Sequence, residues 1–348
     1  MRAALTLPDD PLPLRIAVVI PCYRVTDHIL PLLARIGPLV TQIFVVDDAC
    51  PEHSGQRVQA QCADPRVQVL FHERNLGVGG AVMTGYRAAL AGGCDVMVKL
   101  DGDGQMDPAL IPEFVAPLLA GEADYTKGNR FFDPEGIARM PRVRLLGNTL
   151  LSFLTKFASG YWNIFDPTNG YTAIHADVAR RLRFEKISPR YFFESDLLFR
   201  LNTLRAVVQD VPMASVYGDE VSNLRISRVL FEFLGKNLRN AGKRLFYNYY
   251  LRDMSVASLE LPLGLLLFGF GCIETLRVWI ESIGSVSAKP AGTIMLAGLP
   301  LLMGLQLLLA FIGFDMNSVP QKPLNPRRNT RLLSKLQALN RVEGVEHG

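Results

Sequence analysis

The chain has 348 residues, with 37 Lys and Arg against 33 Asp and Glu and a formal net charge of +4. That near-balance excludes the strongly basic surface of a nucleic-acid binder, and the length admits a catalytic domain of ordinary size with an appendage. Five cysteines, Cys22, Cys50, Cys62, Cys94 and Cys272, form no C-x-x-C pair, which argues against a zinc site or a disulfide framework and for a reducing compartment.

Residues 1–14 are rich in proline, carry Asp9 and Asp10 and lack an apolar core, so they read as a loose arm and not as a secretory signal. From 15 to 222, apolar runs alternate with longer segments. The runs at 16–20, 43–46, 67–71 and 96–100 are rich in Val and Ile and predict strands, while 78–91 and 108–120 predict helices. That alternation defines an α/β fold with a mainly parallel sheet, in which ligands sit beyond the carboxyl ends of the strands. The polar clusters fall there: Pro21-Cys22-Tyr23 after the first run, Asp47-Asp48 after the second, Glu73-Arg74-Asn75 after the third and Asp101-Gly102-Asp103 after the fourth. Four clusters in register point to one site.

The fourth cluster is the most informative. Asp101 and Asp103 stand one residue apart at the end of an extended run, so both carboxylates can face one way, and Gln105 can add a carbonyl oxygen. Hard cations such as Mg²⁺ or Mn²⁺ prefer such oxygens together with ligand phosphates. Alone, an Asp-Gly-Asp-Gly stretch reads first as a solvated turn; its neighbours favour the metal.

Residues 223–252 form a basic amphipathic segment. Ile226, Val229, Leu230, Phe233, Leu234, Leu238 and Leu245 group on one side of a helical wheel, with Arg225, Arg228, Lys236, Arg239 and Lys243 opposite, a pattern suited to an anionic headgroup layer or to an ordinary surface helix. A hairpin of two membrane spans is expected over 257–314, at about 257–280 and 291–314. The second is uncharged. The first is interrupted by Glu274 and Arg277, which can pair at i and i+3. The intervening loop holds one lysine, Lys289, whereas the amphipathic segment and the tail at 315–348, with Lys322, Arg327, Arg328, Arg331 and Lys335, are basic. By the positive-inside rule both flanks belong in the cytoplasm, giving a multi-pass protein of the cytoplasmic (inner) membrane with its α/β domain inside the cell.

These motifs resemble glycosyltransferase family 2, in particular the branch of dolichyl-phosphate mannose synthases and bacterial polyprenyl-phosphate glycosyltransferases. Pro21-Cys22-Tyr23 resembles the family's Pro-x-Tyr, Asp47-Asp48 its nucleoside-contacting pair, and Asn75 to Ala81 with Gly85 its Asn-x-Gly-x-x-x-Ala helix start. Asp101-Gly102-Asp103-Gly104-Gln105 is similar to its Asp-x-Asp-x-Gln, Gly128-Asn129-Arg130 to its Gly-Ser-Arg, and Asp166-Pro167-Thr168-Asn169-Gly170 to its acceptor loop. The resemblance implies a GT-A type nucleotide-diphospho-sugar transferase domain. It implies an inverting, metal-dependent transfer from a nucleotide-diphosphate sugar to a polyprenyl phosphate, of undecaprenyl or dolichyl type, at the cytoplasmic face.

The implied catalytic set is Asp101, Asp103, Arg130, Asp166 and Asp196. Donor contacts fall to Pro21, Tyr23, Asp48, Asp101, Asp103, Gln105 and Arg130; the ion, Mg²⁺ or Mn²⁺, falls to Asp101, Asp103 and Gln105. Arg144 and Asn169 would meet the acceptor phosphate, with Arg142 a second candidate. The chain departs from the family where Arg24-Val25 stand in place of Asn-Glu after Tyr23. In 192–197 the family carboxylate falls on Asp196, with Glu194 competing and pairing of Asp196 with Arg200 the bland reading. Two other readings stay open: a membrane-tethered scaffold that binds sugar nucleotide or lipid phosphate without turnover, and a family 2 transferase acting on a lipid-linked saccharide. Homo-oligomerisation is also open.

Overall fold

The computed structural model describes residues 14–132, 142–167, 169–213, 226–283 and 289–324, with backbone alone at 142–146, 148 and 226–230. The arm at 1–13, the tail from 325, Arg225 and the side chains of Arg142, Arg144, Ile226, Arg228, Val229 and Leu230 lie outside the described set.

A seven-stranded sheet forms the centre. Its strands are β1 (Ile16–Cys22), β2 (Gln42–Asp47), β3 (Val67–Phe71), β4 (Val96–Lys99), β5 (Tyr125–Asn129), β6 (Thr172–His175) and β7 (Val208–Pro212), in spatial order β3-β2-β1-β4-β6-β5-β7. β6 runs antiparallel to β4 and β5, and the other pairs are parallel. Helices cover both faces: α1 (Ile29–Ala34), α2 (Ser54–Gln61), α3 (Val78–Ala91), α4 (Ile111–Leu119), α5 (Arg142–Ser159), the single turn α6 (Ala176–Ala179) and α7 (Phe193–Leu204). Because successive side chains point to opposite faces, β1 divides between two cores. Ala17 and Val19 pack with α3 and α7, while Ile16, Val18 and Ile20 pack with α1 and α4. Burial on both sides is why these strands read as unbroken apolar runs.

The order places β1 beside both β2 and β4. Between β1 and β4 the winding reverses, leaving a crevice at the carboxyl ends of the strands.

α8 (Ile226–Phe246) continues through a π-helical turn, Tyr247–Arg252. Its inward side differs from the apolar face expected from sequence. Phe233, Asn237, Asn240, Ala241 and Arg244 are buried, whereas Phe231, Leu238 and Phe246 are exposed. The polar side finds partners in the α/β domain, Asn240 on Asp196 and Arg244 on Phe157 O, so apolar residues turn outward.

α9 (Ala257–Ser282) and α10 (Ala291–Asn317) form an antiparallel hairpin of 26 and 27 residues. At ~1.5 Å per residue each exceeds the ~30 Å hydrocarbon core of a bilayer. The helices approach most closely at Gly271, where a Cβ would overlap the Leu301 backbone, and at Gly304, where it would overlap that of Phe268. Their other faces leave Leu265, Leu266, Ile273, Leu302 and Met303 exposed. Glu274 pairs with Arg277 at 3.1 Å. The far end of α10 returns to the α/β domain: Asp315, 2% exposed, receives Arg244, Tyr249 Oη and Trp162 Nε1.

Candidate active site

The crevice holds a cleft of about 470 Å³ lined by Pro21, Tyr23, Asp48, Asp101, Asp103 and Tyr191, among others. Each strand end contributes. β1 delivers Pro21 and Tyr23, β2 is followed by Asp48, and β4 is followed by Asp101 and Asp103. The segment before α7 adds Arg190 and Tyr191.

Asp47 and Asp48 shape loops. Asp47 accepts the N–H groups of Cys50 (2.8 Å) and Gly55 (2.7 Å), fixing the turn into α2. Asp48 accepts the N–H groups of Leu76 and Gly77, each at 2.8 Å, while His72 Nδ1 lies 2.7 Å from Oδ1. Asp48 borders the cleft, yet its oxygens tie the 72–77 loop to β2. Gly77, at φ 90°, turns that loop into α3; a Cβ there would lie 2.7 Å from Pro189 O. Gly80 N–H also bonds Pro189 O at 2.9 Å, so the segment bearing Arg190 and Tyr191 is pressed onto the start of α3.

Asp101 and Asp103 both reach the cleft. Asp103 Oδ1 accepts the Gln105 N–H at 3.0 Å, which closes the Asp-x-Gln turn; Gln105 is not among the cleft-lining residues. Behind Asp101 stands Lys99, 1% exposed, with Nζ 2.9 Å from Asp101 Oδ1 and 3.0 Å from Glu194 Oε1. Burial alone would depress the Lys99 pKa; the charges of Asp101 and Glu194 outweigh it and hold the ammonium above the ordinary lysine range. Gly170 makes this arrangement fit, because a Cβ would overlap Asp101 Oδ2.

Arg130 follows β5 and is held by Asp166, with Nε 2.7 Å from Oδ2 and Nη2 3.1 Å from Oδ1. Asp166 is buried; Asn169 Nδ2 lies 3.4 Å from its Oδ2 and Asn169 Oδ1 takes the Tyr171 N–H at 2.9 Å. Asp166 and Asn169 therefore form the support under Arg130. Lys127 of β5 is buried and donates to Asn169 O. Burial pushes its pKa down to about 8, against the pull of Asp166 and Glu194.

Asp196 is placed elsewhere. It accepts the Ser188 N–H at 2.9 Å, Arg200 Nε at 3.2 Å and Asn240 Nδ2 at 3.0 Å, joining α7 to the preceding loop and to α8. It does not line the cleft, and the carboxylate of this helix that meets the Asp101 cluster is Glu194. Sequence reasoning assigned no role to Lys99 or Lys127; the signal for Lys99 was a lysine inside an otherwise apolar strand run, which demands buried counter-charges.

Comparison with known proteins gives the family and supports the fold. Residues 17–183 match the model of glycosyl transferase family 2. Over 207 residues the chain is 30% identical to the undecaprenyl-phosphate mannosyltransferase of Micrococcus luteus, spanning 58% of this chain and 84% of that one. Over 168 residues it is 31% identical to the UDP-N-acetylglucosamine–dolichyl-phosphate N-acetylglucosaminyltransferase of Methanococcus voltae, spanning 48% and 66%. A crystal structure of glucosyl-3-phosphoglycerate synthase from Mycobacterium tuberculosis with Mn²⁺, UDP-glucose and phosphoglyceric acid superposes with a TM-score of 0.51 at 22% identity, covering 66% of this chain and 80% of that one. That likeness establishes a GT-A-like fold. The chain belongs to glycosyltransferase family 2. It is a glycosyltransferase related to the polyprenyl-phosphate sugar transferases.

Proposed function

We propose that this enzyme transfers a sugar from a nucleotide-diphosphate sugar to a polyprenyl phosphate, with inversion at the anomeric carbon, aided by a divalent cation at the cytoplasmic face of the membrane. The observation that carries the reading is the meeting of Asp101 and Asp103 on one cleft, in a domain joined to an apolar hairpin through the buried Arg244–Asp315 pair. The relatives' names support the lipid-phosphate acceptor.

The donor set fits Mg²⁺ or Mn²⁺. Of the three carboxylates that line the cleft, Asp48 spends its oxygens on His72, Leu76 and Gly77, while Asp101 and Asp103 could give oxygens to an ion whose remaining positions diphosphate oxygens and water would fill. A bound ion would supply charge stabilisation for the departing nucleoside diphosphate. The chain's own residues divide the remaining work. Asp101 and Asp103 hold the ion, and Gln105 closes the turn that presents Asp103. Arg130, oriented by Asp166, offers a guanidinium to developing negative charge. Pro21, Tyr23 and Tyr191 wall the donor. The acceptor needs little help, since a phosphate monoester, with a second pKa of ~6, is mostly dianionic at neutral pH and attacks without a strong base. Arg144 remains the proposed acceptor contact, while Asn169, buried and bonded to Asp166 and to the Tyr171 N–H, acts through Arg130 and does not meet the phosphate itself.

The test is nucleoside diphosphate release by membranes containing the protein, with a panel of nucleotide sugars, with and without a short-chain polyprenyl phosphate, followed by mass spectrometry of the lipid. A sugar-phosphate lipid whose formation requires both substrates is expected. Donor hydrolysis with no lipid product would refute the acceptor assignment.

A further inference from the structure

The Glu194–Lys99–Asp101 triad lies behind the cleft, and fold stability does not account for it. A buried ion triad is seldom more stable than well-packed apolar side chains of the same volume, because desolvation offsets the attraction. Lys99 sits on β4, where Val96, Met97 and Val98 are wholly buried, so an apolar residue would suit the strand. The lysine nonetheless reaches two carboxylates, and one of them, Asp101, is about a third exposed and faces the cleft. Its Nζ is held between the two carboxylates, and Gly170 packs against it so closely that a Cβ there would come 2.5 Å from Nζ.

The consequence is electrostatic. Asp101 spends Oδ1 on Lys99 at 2.9 Å, so the pair of carboxylates at the cleft faces incoming cations with a fixed ammonium directly behind one of them. A divalent ion held by Asp101 would share that carboxylate with the ammonium, which lies 2.9 Å from Oδ1, so the two cations would be close together. At such a separation, in a site partly shielded from water, like charges repel strongly. A diphosphate brings negative charge of its own and restores the balance.

We propose that Lys99 is a built-in counter-cation that keeps the Asp101–Asp103 site from retaining a divalent ion by itself, so that the ion is held only together with the donor's diphosphate. Glu194 sets the strength of this effect by sharing the ammonium with Asp101. The inference rests on the preceding reading that Asp101 and Asp103 hold a divalent ion. It makes Lys99 and Glu194 positioning residues and gives the site an order of assembly.

The test is Mn²⁺ binding followed by electron paramagnetic resonance of the free ion, on the full chain in detergent, alone and with UDP or GDP. The parent should bind Mn²⁺ at least tenfold more tightly with a nucleoside diphosphate than without. Lys99→Met should tighten binding of Mn²⁺ alone by about tenfold or more and narrow that gap. Glu194→Gln, which leaves the ammonium to Asp101, should weaken it. A merely structural role would weaken binding in every variant. Should Lys99→Met fail to fold because Glu194 is left unpaired, the double variant Lys99→Met/Glu194→Met removes both charges and should still bind Mn²⁺ alone more tightly than the parent. Folded Lys99 variants that bind Mn²⁺ no more tightly than the parent would overturn the inference and leave the metal reading standing. A parent that binds no Mn²⁺ with either diphosphate would overturn both.

Discussion

Replacing Asp315 by asparagine should release the inner end of the hairpin from the catalytic domain. Asp315 and Arg244 are each 2% exposed, paired at 2.6 Å through Nη1 and Oδ1 and at 3.0 Å through Nη2 and Oδ2. Tyr249 Oη donates to the same carboxylate at 2.6 Å and Trp162 Nε1 at 2.9 Å. Arg244 has one further acceptor, Phe157 O at 2.8 Å, and its Nε finds no partner among the described residues. The asparagine amide would keep the shape but strand a buried guanidinium, a change that costs ~3–5 kcal/mol. That amounts to a factor of more than ~10² in the docking equilibrium and a fall in melting temperature on the order of 10 °C. Differential scanning of the detergent-solubilised protein would measure it. Trp162 and Trp279 are the only tryptophans, so in a Trp279→Phe background the emission of Trp162 reports the same contact. Adding Arg244→Met to Asp315→Asn removes the lone charge while the asparagine oxygen still serves Tyr249 or Trp162, and should recover a large part of the loss. A double variant no more stable than Asp315→Asn alone would refute the argument that an unpaired charge is the penalty.

Asp103→Asn should lower transfer by ~10²-fold or more, and activity undiminished in excess chelator would contradict the metal reading. Because Asp166 holds both Nε and Nη2 of Arg130, Asp166→Asn should cost somewhat less than Arg130→Ala in single-turnover transfer to a short-chain polyprenyl phosphate, and less than Asp103→Asn; a loss equal to that of Asp103→Asn, with a rate following an ionisation far from that of the acceptor phosphate, would instead make Asp166 a base. Lys127 titrates at about 8 in the fold against 10.5 for a free lysine, so between these values the unfolded chain binds the extra proton and stability from this group falls as pH drops from 10.5 to 8; melting of Lys127→Met should lack that component, and an unchanged profile would deny the shift. Reporters placed near Asp10 and after Arg341 should both face the cytoplasm, with Lys289 labelled only from outside, and a C-terminal reporter found outside would mean a single span.

The parallel half of the fold is legible because β1, β2 and β4 are buried on both faces and the edge strand β3 is still rich in Val and Leu. β1 to β4 coincide with the Val- and Ile-rich runs, and the site clusters follow from where those runs stop. β5 is different. Its residues, Tyr125-Thr126-Lys127-Gly128-Asn129, are all buried, but they carry polar atoms matched by long-range partners such as Phe114 O and Asn169 O, which no local pattern reveals. The same holds for Lys99, whose counter-charge on Glu194 lies 95 residues away. Asp196 is open to two readings in the sequence, a site acid or a partner of Arg200, and tertiary packing gives it Ser188, Arg200 and Asn240 as partners. Asp315 is silent in the sequence, since nothing in its neighbours hints at an arginine 71 residues earlier.

On the proposed function, the joint at Asp315 bears on how a water-soluble donor meets a lipid acceptor. A polyprenyl phosphate presents its phosphate at headgroup height and does not leave the membrane, so the cleft has to be brought to that plane. A long flexible tether would spread the cleft over many heights and dilute its effective concentration at the acceptor. Here the end of α10 is locked against α5, α8 and the turn after α8 by a pair buried away from water. α8 buries its polar side on the domain and turns Phe231, Leu238 and Phe246 outward, a surface continued by Leu251, Met254 and Val256 before α9 begins. Arg239 and Lys243 fall beside that stripe on the helical wheel, where anionic headgroups would meet them. On the proposed orientation, hairpin and interfacial helix act as one rigid platform. Asp315→Asn should then raise the apparent KM for a membrane-embedded acceptor more than that for a short, detergent-dispersed one.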